Sequence, residues 1–372
     1  MKYIAQPGDT AYSISRLFGL RTDQLLSANP NLRGNPVAPG EIFIIPEVSR
    51  IRPTIDTNGY ISATFDPAAL QDRFPYLTYL SIVCCYAQDD GSLVCEDDSA
   101  MVEAARNAKV APLMVVTNYV PGVGYCSDIV HAVATDTAVQ QRLLENIITR
   151  LSVTKYYGIN MDFEMMPFED YNLYEQFVKT LTYTLHPFGY LVMETLRTSR
   201  MIRHIEELYP NPYGNFESYA DRFVVKSSEL VCDPSSDISP LDSLQRVLDY
   251  SIGPYSSQRI LIAYPNCCQL WVYPQQENQQ PQPIYYEQAN LLASQNGGFV
   301  YDPVRNIQYF NFFDEAGLGY TVICGSVPAT EEIAALVSIY NLGGVSFRPA
   351  DLFSMATYQL FNAMFNIHKT NI

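Results

Sequence analysis

Basic residues are in short supply: 23 Lys and Arg stand against 39 Asp and Glu, a formal net charge of -16 over 372 residues. Phosphate backbones need a basic stripe, and none is present, so nucleic acid is excluded as a partner. The start, Met1-Lys2-Tyr3-Ile4-Ala5-Gln6-Pro7, lacks the basic residues and apolar segment of about 7 to 15 residues that mark a secretory leader. No apolar run approaches the roughly 18 residues that span a bilayer. The expectation is a chain made in the cytoplasm, with no membrane partner. No C-x-x-C spacing occurs among the eight cysteines, which argues against zinc. The adjacent pairs Cys84-Cys85 and Cys267-Cys268 lie in strand-like stretches where neighbours point to opposite faces, and they read as buried free thiols. His131, His186, His204 and His368 are spread among helices and tails as ordinary residues. Neither a metal nor an organic cofactor is expected.

What is present is a folded globular composition, 48% hydrophobic and 17% charged. The length allows one large core and a small extra module. Tyrosine is abundant, at 28 residues, and its ring suits stacking on sugars as well as ordinary core packing.

The most informative stretch is Tyr156-Tyr157-Gly158-Ile159-Asn160-Met161-Asp162-Phe163-Glu164. In a strand, alternate side chains share a face, so Asn160, Asp162 and Glu164 line one side and Ile159, Met161 and Phe163 the other. Same-face neighbours lie about 6 to 7 Å apart. Asp162 can therefore raise the pKa of Glu164 by like-charge repulsion and keep it protonated, as a general acid requires. The competing readings are a solvent-facing edge strand and a carboxylate pair that binds a cation.

Taken in order, residues 1 to 47 form a unit of their own. Tyr3-Ile4-Ala5 reads as a strand, Thr10 as a helix cap, Ala11 to Phe18 and Asp23 to Ala28 as helices, and Gly40 to Pro46 as a closing strand. This β-α-α-β unit resembles the LysM module through Gly8-Asp9-Thr10, Asn29-Pro30, Pro39-Gly40 and Ile45-Pro46. The resemblance implies binding of N-acetylglucosamine-containing glycans, with Asp9, Thr10 and Asn29 bordering the groove. Asp9 and Thr10 also fit plain helix capping.

After a linker, residues 53 to 372 alternate strands and helices. Candidate strands are Tyr60–Thr64, Tyr79–Tyr86, Val110–Thr117, Tyr156–Glu164, Tyr190–Leu196, Arg222–Glu229, Arg259–Pro265 and Gly344–Phe347, with helices such as Thr137–Leu151, Tyr171–Leu185 and Leu241–Tyr250 between them. Eight such repeats predict an α/β fold, a (β/α)8 TIM barrel with its site at the C-terminal strand ends. About residues 272 to 326 the rhythm breaks, which predicts a small α+β insertion on the rim.

The barrel resembles glycoside hydrolase family 18, the chitinase-like hydrolases, and within it the LysM-bearing spore cortex-lytic N-acetylglucosaminidases. The match rests on Leu77–Ser81, Ala111–Val115, Gly158–Glu164 and Gly343–Phe347. The family's Asp-x-Asp-x-Glu appears as Asn160, Asp162 and Glu164. The resemblance implies substrate-assisted, retaining cleavage, outside the two-carboxylate scheme. Glu164 would protonate the glycosidic oxygen, Asp162 would orient the sugar's acetamido group, and Asn160 would hold Asp162. Tyr86, Asn118, Lys226, Ser228, Trp271 and Arg348 complete the expected substrate contacts.

Besides Asn160, several other positions depart from the family's pattern. Lys226-Ser227-Ser228-Glu229 replaces Met-x-Tyr-Asp, so Ser228 stands for the Tyr that bonds the acetamido carbonyl. Arg348 replaces the Trp that floors the sugar subsite. In the segment Ala263–Cys268 the family's Pro alone remains, as Pro265. Losing such a carbonyl donor costs about 100 to 1,000-fold in rate. If side chains alternate along the sixth strand, Lys226, Ser228 and Leu230 share a face and Lys226 can pair with Glu164. Two readings stand: a hydrolase of spore cortex peptidoglycan or a chitin-like glycan, and a weak or inactive glycan-binding protein of the spore coat. Oligomeric state is not legible.

Overall fold

The computed structural model describes residues 2–18, 20, 22–30, 37–46, 52–198, 219–227, 244–245, 248, 256–265, 268–273 and 281–372. The N-terminal unit comprises β1 (Lys2–Ile4), α1 (Ala11–Leu17), α2 (Thr22–Ala28) and β2 (Ile42–Ile44). Strands β1 and β2 pair antiparallel. Ile14, Leu20, Leu25 and Phe43 form its small core. Thr10 caps α1 through a reciprocal capping box with Ser13.

Eight parallel strands close the barrel: β3 (Thr54–Ser62), β4 (Tyr79–Ala87), β6 (Ala111–Thr117), β9 (Gly158–Asp162), β10 (Leu191–Thr198), β11 (Arg222–Ser227), β12 (Ile260–Pro265) and β18 (Gly344–Arg348). Pairing runs β3-β18-β12-β11-β10-β9-β6-β4, and β4 returns to β3. Interposed are β5 (Leu93–Cys95), α3 (Ser99–Asn107), β7 (Tyr119–Val120), β8 (Gly124–Tyr125), α4 (Ser127–Thr135), α5 (Thr137–Val153) and α6 (Tyr171–Leu185). Of the helix expected at Leu241–Tyr250, most residues lie outside those described.

The rim insertion is a five-stranded antiparallel sheet of β13 (Gln269–Tyr273), β14 (Gln282–Pro283), β15 (Val300–Asp302), β16 (Ile307–Phe313) and β17 (Gly319–Gly325), with α7 (Tyr286–Gln295) packed on it. The chain then completes the barrel through α8 (Val327–Ile339), β18, α9 (Met355–Met364) and β19 (Asn366–Ile367), which adds in parallel to β3.

The barrel interior is filled in levels, as the fold requires. Near the N-terminal strand ends Asp56 meets Arg222, Tyr79 and His368. Above it Tyr79, Ala111, Leu113, Met193, Val224, Leu261 and Ala263 form an apolar cluster. A hydrogen-bonded chain then crosses the strands: Asn58 donates to Ser346, Ser81 to Asn58, Asn160 to Ser81 and Thr195 to Asn160. Each of these buried polar groups is thereby satisfied, which makes an interior polar belt affordable.

The cysteine expectation is corrected. Cys85 bonds Cys95 across the β4/β5 hairpin, and Cys268 bonds Cys324 within the insertion. Chain neighbours indeed do not bridge each other; cross-strand partners do, since antiparallel pairing sets Cys85 directly opposite Cys95. Cys84 and Cys126 are free.

Candidate active site

Glu164 lies two residues past the end of β9, at the C-terminal mouth of the barrel, and is 2% exposed. Its backbone is held from both sides by one side chain. Asn118 Oδ1 accepts from the Glu164 N–H at 2.9 Å, and Asn118 Nδ2 donates to the Glu164 carbonyl at 2.8 Å. The same Nδ2 donates to Cys126 O at 2.9 Å, so Asn118 also fixes the end of the β7/β8 hairpin that carries Tyr125. Asn118 is fully buried, and these contacts make it a positioning residue in place of the expected sugar contact. Beyond Glu164 the chain turns sharply: Met165 has φ of 60°, a left-handed conformation that costs about 1 kcal/mol for a residue with a side chain.

Asp162 is 1% exposed, and its Oδ2 accepts from Tyr60 OH and, at 2.8 Å, from Arg348 Nη2. Burial opposes its charge, but Arg348, Lys226 and the Tyr60 hydroxyl outweigh burial and hold the carboxyl below its ordinary range. Its Oδ1 is buried without a hydrogen-bond partner, as is Nη1 of Arg348. The Arg348 guanidinium stacks on the Tyr60 ring at 3.6 Å from the centroid, a cation–π contact.

Lys226, inward on β11 as alternation predicts, donates from Nζ to Glu164 Oε1. Burial and the nearby Arg348 lower the Lys226 pKa, against the pull of Asp162 and Glu164. Tyr125 closes the cluster from above. Its hydroxyl accepts from Arg348 Nη2 at 3.2 Å and bonds Glu164, and its ring faces Lys226 Nζ at 5.6 Å. Burial first, then the carboxylates, push the Tyr125 phenol well above its ordinary pKa.

Two expectations change. Asn160 does not hold Asp162: its amide is spent on Ser81 and Thr195 in the polar belt below. The two carboxylates do not stand as a bare like-charge pair either, since each has its own cation, Lys226 for Glu164 and Arg348 for Asp162.

Other expected contacts lie apart. Tyr86 pairs in register with Thr117, which pairs with Asp162, but its hydroxyl donates to Glu96 at 3.1 Å. Trp271 is 4% exposed and packs with Ile307, Ile323 and Tyr309 in the insertion, so it is core where a substrate contact was expected. Ser228 lies outside the described residues. In the N-terminal unit Asp9 accepts from Tyr3 OH at 2.8 Å and from the Gln6 N–H at 2.6 Å. Asn29 exchanges hydrogen bonds with Ile44 N and O, both at 2.7 Å, tying α2 to β2. Asp9 and Asn29, like Thr10 in its capping box, are thus engaged in holding the module together.

Tyr60 and Tyr125 are the site residues that sequence reasoning missed. Tyr60 shares the inward face of β3 with Asp56 and Asn58, a period-two signal that could have found it. Tyr125 sits on a short hairpin whose sequence carries no comparable mark. Among the described residues no group of three or more His, Cys, Asp or Glu could hold a metal, and no helix is long and apolar enough to cross a membrane.

Known proteins share this architecture. Residues 3–46 match the LysM domain model. The cortical fragment-lytic enzyme of Bacillus cereus is 25% identical over 312 residues, covering 79% of this chain and 70% of that protein. The crystal structure of the Bacillus megaterium QM B1551 spore cortex-lytic enzyme SleL superposes with a TM-score of 0.77 at 22% identity, over 100% of this chain and 87% of that one. A chitinase from Chromobacterium violaceum ATCC 12472 gives 0.70 at 22% identity, over 83% of this chain and 98% of that one. Residues 3–46 are thus a LysM domain, and the rest of the chain has the barrel fold shared by spore cortex-lytic enzymes and chitinases.

Proposed function

We propose that the chain is a glycoside hydrolase of spore cortex peptidoglycan, cutting next to N-acetylglucosamine with Glu164 as general acid and then base. The observation that carries this reading is the Glu164 carboxyl, buried at the strand C-termini, its backbone clamped by Asn118, with Asp162 beside it. A general acid must be held in one place to meet the leaving oxygen, and this clamp does so. Asp162, kept ionised by Arg348 and Tyr60, has an unspent Oδ1 suited to an acetamido N–H. Its charge then balances the cation that forms as the acetamido oxygen closes on the anomeric carbon. The names of the relatives, cortical fragment-lytic and spore cortex-lytic enzymes, support cortex as substrate and the spore as location.

Division of labour follows at the linker. The LysM domain, residues 1–47, holds the chain on the glycan and raises the local concentration of cleavable bonds for the barrel. A second reading, binding without turnover, draws on one observation: at rest both carboxylates are ion-paired.

Incubation with purified spore cortex fragments, followed by mass spectrometry of the released muropeptides, decides between them. New reducing N-acetylglucosamine ends are expected. Fragments bound but unchanged would leave the binding reading.

A further inference from the structure

We propose that Lys226 is the proton store of the catalytic acid, so that the acid is the Glu164–Lys226 pair and not Glu164 alone. The inference rests on the hydrolase reading above. Lys226 Nζ is hydrogen-bonded to Glu164 Oε1, and the two side chains are 19% and 1% exposed. Among the described residues, the titratable and charged groups around this pair include Asp162 on β9, Arg348 on β18, Tyr60 on β3 and Tyr125 on β8. Arg348 and Asp162 cancel in charge. The pair is therefore a unit that holds one proton, and that proton has two places to sit.

At rest it sits on nitrogen, as an ammonium facing a carboxylate. That form is useless for protonating a glycosidic oxygen. Glu164 is already out of water, and bound glycan removes the water that still reaches Lys226, so the ammonium loses its remaining hydration whereas a neutral amine loses little. Burial already disfavours the charged lysine. The proton moves along the existing hydrogen bond from Nζ to Oε1. From Oε1 it passes to the glycosidic oxygen as the C–O bond breaks, leaving a carboxylate beside a neutral amine. Water then enters and gives its proton through Glu164 to Lys226, while its oxygen bonds the anomeric carbon and the bond from that carbon to the acetamido oxygen, formed in the first step, breaks. The ion pair is restored, and over the cycle one water is consumed with no net proton exchange.

Such a pair titrates jointly. Its one-proton state ends, as pH rises, only when the lysine gives up its proton, so activity persists up to that point. Two substitutions separate this from a merely structural ion pair. Arg keeps the charge and the hydrogen bond but does not release its proton. Lys226→Arg is expected to lose about 100 to 10,000-fold in kcat at every pH, with cortex-fragment binding and thermal unfolding unchanged. Lys226→Met removes the proton store, so activity survives in acid while the alkaline limb of kcat/KM moves to lower pH.

The measurement is kcat/KM against pH on cortex fragments for wild type, Glu164→Gln, Lys226→Arg and Lys226→Met, with circular-dichroism melts to show folding. A folded Lys226→Arg with wild-type kcat, or a Lys226→Met with the wild-type pH profile, overturns the proton store while the hydrolase reading stands. Wild type without turnover, matched by Glu164→Gln, overturns both.

Discussion

The two ends of the barrel carry the same chemistry and do different things with it. At the N-terminal end, Asp56 Oδ2 takes Arg222 Nε at 2.6 Å and Tyr79 OH at 3.4 Å, while Oδ1 takes His368 Nδ1 at 2.7 Å. Both oxygens are spent. At the C-terminal end, Asp162 spends Oδ2 on Tyr60 and Arg348 and leaves Oδ1 buried and unpartnered, as it leaves Arg348 Nη1. An unsatisfied buried group costs about 1 to 3 kcal/mol, and native structures keep such groups where something else repays them. Between these two clusters burial and ion pairing do not tell the reacting end apart; the unpartnered oxygen of its carboxylate does.

The sharpest way to break this comparison is at the saturated end. Arg222→Met removes the cation from a buried carboxylate and is expected to cost about 3 kcal/mol of stability, the low end for a buried pair because Arg222 is partly exposed. Denaturant unfolding checks it, and kcat of the folded fraction should not change. A fall in kcat at unchanged stability would show that the two ends are not separate.

A second prediction concerns pH. The folded Asp162 pKa lies below its unfolded value, so its contribution to stability is complete above the ordinary carboxylate pKa of about 3.9 and drains away as pH falls through the folded value. Asp162→Asn, less stable at neutrality because Arg348 is left unpaired, should lose less further stability than wild type between about pH 6 and pH 3. Parallel stability curves for the two proteins would contradict it.

The smallest effect sharpens the contrast between ends. Tyr125→Phe removes one hydroxyl from the mouth and should cost about 1 kcal/mol of transition-state stabilisation, roughly fivefold in rate. Tyr79→Phe removes a 3.4 Å contact at the other end and should leave kcat unchanged. Equal effects on kcat would erase the distinction.

The reacting end was the more legible in sequence. Asn160, Asp162 and Glu164 alternate on a strand whose other face is apolar, and Lys226 obeys the same alternation on β11. β3 starts six residues before the strand expected at Tyr60–Thr64, because Asp and Asn are depleted in strands in general; inside this barrel Asp56 and Asn58 meet Arg222, Ser81 and Ser346 and are satisfied there. Disulfide partners 10 and 56 residues apart are fixed by strand pairing, which spacing alone does not encode. Arg348 was visible as a departure from the family's Trp, but its pairing with Asp162 needed the closed barrel, since the two lie 186 residues apart.

The most direct test of Glu164 as the acid is to measure turnover and binding on the same cortex fragments for wild type and Glu164→Gln. Gln keeps the size and most of the hydrogen bonding but has no proton to transfer, so turnover should fall by about 100 to 10,000-fold while binding is unchanged. Equal turnover by the two proteins would contradict the assignment.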